Sequence, residues 1–267
     1  MKKAIVTREG RRIRLKDIDP DDDAGLGSKA KALARLAEDL ERLRKLQLLL
    51  YADNRFALLV VIQAMDTGGK DGTIRHVMSG LNPVGCVVTS FKVPTPEERQ
   101  HDFLWRIHRA VPPKGVVGVF NRSHYEDVLV VRVHNLVPRK TCERRYREIN
   151  DFERTLRENG VEILKFYLHI SKAEQAKRLR ARIEDKSKNW KFSEADIAER
   201  RLWSEYQAAY QDAINECTTS WAPWHIVPAN KKWARDCVVA RAMVDRLESL
   251  KLRYPKPTAD LSLLVVR

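Results

Sequence analysis

The sequence of 267 residues predicts a single α/β domain in which helices cover both faces of a five-stranded parallel sheet. The apolar run 57–62 has the length of a strand and no polar interruption, which is typical of a central parallel strand buried on both faces. Four more apolar runs follow, and helical stretches separate them. A glycine-rich turn joins the first run to a helix. These observations predict a three-layer sandwich of helices, sheet and helices.

The elements can be placed along the chain from apolar periodicity and turn residues. The predicted strands are 57–62, 86–91, 116–120, 161–170 and 225–227. The predicted helices are 28–53, 70–79, 94–109, 138–158, 172–184, 193–216 and 231–250. The first helix carries a stripe that should pack on the domain or on a partner chain, formed by Leu33, Leu36, Leu40 and Leu43. We predict an N-terminal extension without regular elements over 1–27, a domain over 28–255 and a tail over 256–267.

The charge composition narrows the possible partners. Lys and Arg number 50 against 36 for Asp and Glu, which gives a net charge of +14. This charge indicates an anionic partner or substrate, of which nucleic acid is the commonest, or a basic surface that is merely solvated. A hydrophobic content of 43% excludes a disordered chain. The four cysteines lack metal-ligand spacing, so we expect reduced thiols and no structural zinc site.

The sequence predicts neither a membrane segment nor a secretory signal. Its apolar runs are far shorter than the roughly 20 residues of a membrane helix. Only three apolar residues lie between Lys3 and Thr7, whereas a signal peptide needs an apolar stretch of about 7–15 residues. We therefore expect a cytoplasmic protein without a membrane partner.

The most informative segment joins the first strand to the next helix. From Ala64 to Asp71 it nearly meets the phosphate-loop pattern GxxxxGK[ST], with Ala64 in place of the first glycine. Small residues let successive backbone N–H groups converge on phosphate oxygens, and Lys70 supplies a mobile cation. The predicted phosphate-binding residues of this loop are Thr67, Gly68, Gly69, Lys70, Asp71 and Gly72.

Two carboxylates distinguish this loop from the usual pattern. Asp71 stands where a Ser or Thr normally touches Mg²⁺, and Asp66 lies inside the loop. A carboxylate beside a phosphate is repulsive unless a cation lies between them, so we predict that Asp66 helps to hold Mg²⁺. Asp71 either joins it or occupies the first helical turn, where a negative charge is favourable.

A second polar cluster follows the predicted strand 116–120. Asn121 and Arg122 should emerge at the same crevice as the loop, because the carboxyl ends of parallel strands open at one edge of the sheet. Arg122 can clamp phosphate oxygens with two donors. Glu126 and Asp127 come one helical turn later. One of them is predicted to bind metal through water or to contact the nucleotide, and the other only to cap a helix.

The segment 171–191 is a candidate lid. It holds eight Lys or Arg and three Asp or Glu. Arg178, Arg182 and Lys186 are spaced i, i+4 and i+8, so they share one face of a continuous helix. A cationic face above a phosphate loop would stabilise a phosphoryl group in transfer. The alternative is a solvated basic helix.

At these residues the sequence resembles the polyphosphate kinase 2 family. The resemblance rests on the loop 64–74, on the segment 120–127 (Phe-Asn-Arg-Ser-His-Tyr-Glu-Asp) and on the basic stretch 178–186, and it covers about 28–255. It implies a P-loop kinase fold like that of thymidylate kinase, with a helical lid. It also implies transfer of the terminal phosphoryl group of inorganic polyphosphate to a nucleotide with Mg²⁺, or with Mn²⁺. The family usually forms homo-oligomers, so a dimer or tetramer is expected.

The resemblance assigns a role to individual residues. It implies that Asp66 and Asp127 are metal-linked carboxylates. It also implies that Lys70 and Arg122 bind phosphate and that Arg178 and Arg182 are lid arginines. The form of the segment with Asn121 and Glu126 resembles the subgroup that phosphorylates both AMP and ADP to give ADP and ATP. GMP and GDP are further candidate acceptors. Lys186 is expected to add a phosphate contact.

Two other functions fit parts of the pattern. An ATP-dependent nucleoside monophosphate kinase would share the fold and the loop but would not need so basic a lid. A nucleic-acid-binding protein would fit the charge. Its tryptophans, however, are scattered without the clustering of single-strand binding modules, so we expect no nucleic-acid partner.

Overall fold

The architecture is that of an α/β sandwich around a six-stranded sheet. A computed structural model describes residues 4–258. The strand order is β1-β6-β5-β2-β4-β3, with β1 antiparallel to β6 and all other pairs parallel. The strands are β1 Ile5–Val6, β2 Ala57–Ala64, β3 Cys86–Ser90, β4 Val117–Asn121, β5 Val161–His169 and β6 Trp224–Pro228. The five predicted strands are therefore confirmed as a parallel sheet.

Helices follow the strands and pack on them. The α-helices are α1 Lys29–Asp53, α2 Lys70–Val77, α3 Trp105–Arg109, α4 Val130–Val133, α5 Arg139–Glu158, α6 Lys172–Glu184, α7 Glu194–Arg201, α8 Trp203–Glu216 and α9 Lys232–Ser249. Short 3-10 turns lie at Leu15–Asp17, Pro83–Gly85, Glu98–Gln100, His124–Val128 and Asn189–Lys191. Helix α9 packs on β5, β6, α1 and α2, whereas α5 packs on β5 and contacts α8.

The sheet centre forms the core. Every residue of β2 and β5 is buried, because each strand has a strand on both sides and helices over its faces. Helix α1 begins where the Ser28 hydroxyl accepts a hydrogen bond from the Lys31 amide, and it ends at Asn54 in the left-handed conformation. Of the predicted leucine stripe, Leu36 and Leu43 are buried, while Leu33 is 48% exposed. The helix therefore packs on the domain through a narrower face than predicted.

Two predicted helices are not continuous. The segment 94–109 contains only the turn Glu98–Gln100 and the short helix α3. The prolines at 94 and 96 disfavour helical backbone in the residues before them. The predicted helix 193–216 is divided at Leu202 into α7 and α8. The predicted helix over 193–216 is therefore two shorter helices.

The N-terminal extension is more ordered than predicted. Its short strand β1 pairs with β6, and the Thr7 amide and hydroxyl both donate to the Trp224 carbonyl. Leu15 is buried in the core, and the side chain of Asn215 bonds the backbone of Ile13 through both its oxygen and its nitrogen. The predicted absence of regular elements over 1–27 is wrong, because these polar turns dock on β6 and α8. Residues 259–267 of the predicted tail lie outside the described residues.

Residues 4–258 bear on the predictions about membrane segments and cysteines. No helix within this range has the length and apolar character needed to span a membrane. All four cysteines are free, and three of them are buried.

Candidate active site

A tight loop joins the carboxyl end of β2 to the first turn of α2. Thr67 and Gly69 have positive φ angles of 59° and 104°, which turn the chain sharply. A Cβ atom on Gly68 would lie 2.7 Å from the Met65 carbonyl oxygen, so this position has no room for a side chain. The Thr73 hydroxyl donates to the Gly69 carbonyl at 3.1 Å and fixes the start of α2. The loop therefore has the compact geometry of a phosphate cradle at a helix N-terminus.

Lys70 and Arg122 meet at this loop. Strand β4 lies beside β2 with Asn121 opposite Ile62, so the next residue, Arg122, is placed against the loop. The Lys70 ammonium donates to the Ala64 carbonyl at 3.1 Å, and Arg122 Nη2 lies 3.3 Å from Asp66 Oδ1. Burial and the nearby Arg122 lower the pKa of Lys70, against the pull of the surrounding carboxylates. Two cations thus share a half-buried crevice.

Three carboxylates surround the two cations. Asp66, Glu126 and Asp71 all act electrostatically on Lys70. Burial raises the pKa of Glu126, although the charges of Arg122 and Lys70 oppose the shift. Asp71 accepts a hydrogen bond of 2.8 Å from the Asn121 amide nitrogen. This bond ties the first turn of α2 to the end of β4.

Asp127 does not join this group. It is buried between Arg106 Nη2 and Arg145 Nη1, each 3.7 Å from its carboxylate. Arg145 also donates to the Asp127 carbonyl at 2.8 Å. Two guanidinium groups already balance the charge of this side chain, which argues against the predicted metal role of Asp127. Its neighbour Glu126 faces the loop instead.

Arg178 donates hydrogen bonds to backbone carbonyls of the loop rather than lying over the loop as a lid. Its side chain is only 9% exposed. All five N–H groups of the guanidinium have acceptors, namely the carboxylate of Glu174 and the carbonyls of Thr67, Gly68, Ala229 and Asn230. No donor remains for a phosphate oxygen. In place of the predicted lid arginine, the structure has an arginine that ties α6 and the residues after β6 to the loop.

The other two predicted lid residues, Arg182 and Lys186, differ from Arg178 in their placement. Arg182 Nη1 lies 3.1 Å from Asp196, which connects α6 to α7. Helix α6 ends at Glu184, so Lys186 lies beyond it, and the predicted common face for all three basic residues is wrong. The break follows at Asp185, whose backbone is extended.

Three residues of the site region were missed from the sequence. Gln175 donates to the Asp66 carbonyl at 3.0 Å, and the Tyr210 hydroxyl donates to the Ala64 carbonyl at 2.9 Å. Arg235, on α9, lies against Gly69 and Gly72. No local pattern marks these residues, because each comes from an element far from the loop in sequence. The sequence offered one indication of Arg235: position 72 is a glycine although the usual motif does not require one there, and this glycine leaves space beside the loop.

A divalent cation fits the donor set of this site. Asp66 and Glu126 offer carboxylate oxygens beside the loop, the ligands that Mg²⁺ prefers. Within the described part of the chain no cluster of three or more metal-ligating side chains forms a complete cage. This is compatible with Mg²⁺, which is usually held by one or two carboxylates together with substrate phosphates and waters.

The fold and the site define a class of protein, the P-loop phosphotransferases, in which a glycine loop, its lysine and an arginine from the neighbouring strand face one anion-binding crevice. Residues 27–255 match the sequence model of the polyphosphate kinase 2 family. The chain belongs to this family. The resemblance noted in the sequence is thereby confirmed.

Relatives match over most or all of the chain. An AMP/ADP-polyphosphate phosphotransferase from Meiothermus ruber is 52% identical over 267 residues, which is 100% of both chains. An ADP-polyphosphate phosphotransferase from Rhodopseudomonas palustris is 49% identical over 84% of this chain and 81% of the relative. The crystal structure of polyphosphate kinase 2 from Arthrobacter aurescens TC1 superposes with a TM-score of 0.93 at 44% identity, covering 98% of this chain and 97% of the other.

Proposed function

We propose that this protein transfers the terminal phosphoryl group of inorganic polyphosphate to AMP and ADP, reversibly and with Mg²⁺. The observation that carries the proposal is the pairing of Lys70 and Arg122 at a glycine loop that also holds Asp66. Family membership and the names of the relatives support polyphosphate as donor and adenine nucleotides as acceptors. Mn²⁺ is a candidate substitute for Mg²⁺.

The reaction we propose is an in-line displacement without a covalent enzyme intermediate. The loop amides and Lys70 bind the phosphates around the transfer point, and the Arg122 guanidinium neutralises charge on the group in transfer. An acceptor phosphate is already ionised near pH 7, so the chain need not provide a strong base. The bond between Asn121 and Asp71 keeps the first turn of α2 in place during transfer.

The metal would bind at the loop carboxylates. We assign Asp66 and Glu126 as the residues that would hold it, in place of the predicted pair of Asp66 and Asp127. The bound cation would neutralise charge on the phosphate oxygens. Arg122 already lies beside Asp66 and would share this carboxylate with the cation.

A donor comparison tests the proposal. Purified protein and Mg²⁺ are incubated with AMP, ADP, GMP or GDP, each with polyphosphate or with ATP as the only donor (ATP is omitted with ADP). We expect polyphosphate to support transfer to AMP and ADP. Activity with ATP and a monophosphate but not with polyphosphate would make the protein an ordinary nucleotide kinase. A gel shift with DNA and RNA at moderate salt tests the nucleic-acid alternative. The homo-oligomer and the cytoplasmic location remain predictions.

A further inference from the structure

Arg235 is the most deeply buried arginine beside the loop. It lies on α9 and is 1% exposed. A Cβ atom on Gly69 would collide with its Nη1, and a Cβ atom on Gly72 would lie 3.5 Å from its Nη2. Two glycines of the loop therefore leave the space that this guanidinium fills.

Two further residues, connected by hydrogen bonds, hold the guanidinium in place. Arg235 Nε donates to Asp236 Oδ1 at 2.8 Å, and Nη2 lies 2.7 Å from the same oxygen. The other oxygen of Asp236 is 2.8 Å from His76 Nδ1, on the last turn of α2. These hydrogen bonds thus connect the exposed side of α2 to the loop at the start of the same helix.

The guanidinium has donors to spare where it meets the loop. Among the described residues Nη2 is buried and makes no well-aligned hydrogen bond to a protein atom, although it lies near Asp236. Its neighbour Arg178 adds a second positive charge, and burial lowers the pKa of Arg235. Asp236 balances the charge of Arg235, but a buried N–H group without an aligned acceptor is costly unless a further acceptor, such as a phosphate oxygen, is close by.

We propose that Arg235 is a positioning residue for phosphoryl transfer: it fixes the backbone at Gly69 and Gly72 and places a buried N–H group that lacks an aligned protein acceptor against the loop, so that the loop binds the phosphate chain in the reactive geometry. This rests on the proposed function for its catalytic consequence. Its consequence for anion binding does not depend on the reaction. The positive charge stabilises any polyanion held at the start of α2.

The test compares three variants with the wild type. Arg235→Met keeps the length of the side chain without its charge, and Arg235→Lys keeps the charge without the planar fork. Arg241→Met is the matched control, because Arg241 lies on the same helix but pairs with Asp39 and Asp245. For each we would measure kcat, KM for ADP, the dissociation constant of inorganic tripolyphosphate at two salt concentrations, and Tm.

We expect Arg235→Met to lower kcat about 10- to 100-fold and to weaken tripolyphosphate binding, with little change in KM for ADP. Its binding should also depend less on salt than that of the wild type. Arg235→Lys should recover part of the binding and less of kcat. Arg241→Met should change Tm only. Wild-type kcat and binding in folded Arg235→Met, or equal losses in it and Arg241→Met, would overturn the proposal.

His76→Ala decides the question if Arg235→Met does not fold. His76 is half exposed, so its loss should leave the fold intact while releasing Asp236. A fall in kcat of a few-fold at unchanged Tm supports the proposal, and wild-type kcat overturns it. If the wild type itself shows no transfer from polyphosphate, the proposed function fails. The comparison of tripolyphosphate binding then still decides the role of Arg235.

Discussion

At the scale of single residues, Lys70 is the side chain whose loss we expect to affect the site most. It reaches back over the loop to the Ala64 carbonyl, and the carboxylates of Asp66, Asp71 and Glu126 all act electrostatically on it. Its ammonium can exchange that carbonyl for a phosphate oxygen without moving the backbone. Arg122 lies beside Asp66, and its backbone has the left-handed conformation.

Lys70→Met should therefore lower kcat by about 10²- to 10³-fold or more, since it removes a charged donor aimed at the transferring group. Steady-state assays with polyphosphate and ADP measure the loss. Lys45→Met on the outer face of α1 is the control and should retain full activity. If kcat of Lys70→Met stayed within threefold of the wild-type value, the loop would have no role in the reaction.

The bond between Asn121 and Asp71 allows a second test at this scale. Asn121→Asp places two carboxylates where a donor and an acceptor now lie 2.8 Å apart, so we expect activity to fall about tenfold. Asp71→Asn in the same chain restores a donor and should recover most of that loss in a double-mutant cycle. No recovery would mean that the Asp71 carboxylate itself is needed at the site.

Residue types and spacing predicted which side chains meet at the loop, whereas their roles in the reaction stay predictions. Asp66, Lys70 and Arg122 come together as expected, because the loop motif and the strand-end rule both act locally. Arg178 could not be placed in this way, since its five acceptors come mostly from backbone carbonyls brought near by folding. Arg235 was missed for the same reason. The packing of α9 against α2, which no motif encodes, brings it to the loop.

At the scale of elements, α1 shows how the helices are attached to the sheet. Its buried leucines face α9, which in turn covers β5 and β6. The helix period predicted which leucines could share a face. It could not show that α9 covers only one side of that face, because this depends on the angle at which the two helices cross.

Leu43→Ala should lower the free energy of unfolding by about 2–5 kcal/mol, because Leu43 is fully buried and the change leaves a cavity. Leu33→Ala, from the same stripe, should change it by less than about 0.5 kcal/mol. Urea unfolding followed by circular dichroism gives both values. Equal losses in the two variants would mean that Leu33 is also covered, for example by a second copy of the chain.

The β6 strand carries a pH dependence of stability. Burial lowers the pKa of His225 from 6.5 to about 4, so the folded state keeps this ring neutral. Between these two values the unfolded state binds a proton that the folded state does not. Stability therefore falls as the pH falls, by up to about 1.4 kcal/mol per pH unit. In His225→Phe this contribution is absent, and the difference in unfolding free energy between the two proteins should shrink or reverse below pH 6.5. Parallel pH curves would contradict the account.

At the scale of the whole molecule, the charge of +14 becomes intelligible through the placement of its basic residues. Some of them serve the structure: Arg106 and Arg145 enclose Asp127, and Arg178 ties the loop. Lys70 and Arg122 face the crevice. The composition alone predicted an anionic partner but could not separate these uses, since they differ only in what folding places beside each side chain.

The order of the sheet also belongs to this scale. The five parallel strands followed from their apolar runs, whereas β1 is too short to leave a pattern and forms because β6 offers it a free edge. The sandwich brings the carboxyl ends of β2 and β4 together, and this single feature creates the crevice between the loop and Arg122.

The central claim is that this crevice passes phosphoryl groups from polyphosphate to a nucleotide. The most direct measurement follows AMP, long-chain polyphosphate, Mg²⁺ and the purified protein by phosphorus NMR over time. We expect ADP and then ATP to appear as the polyphosphate chains shorten, with one phosphate lost from the chains for each one gained by nucleotide. Nucleotide that stays AMP while the chains remain intact, or chains that release free phosphate without forming ADP, would contradict the claim.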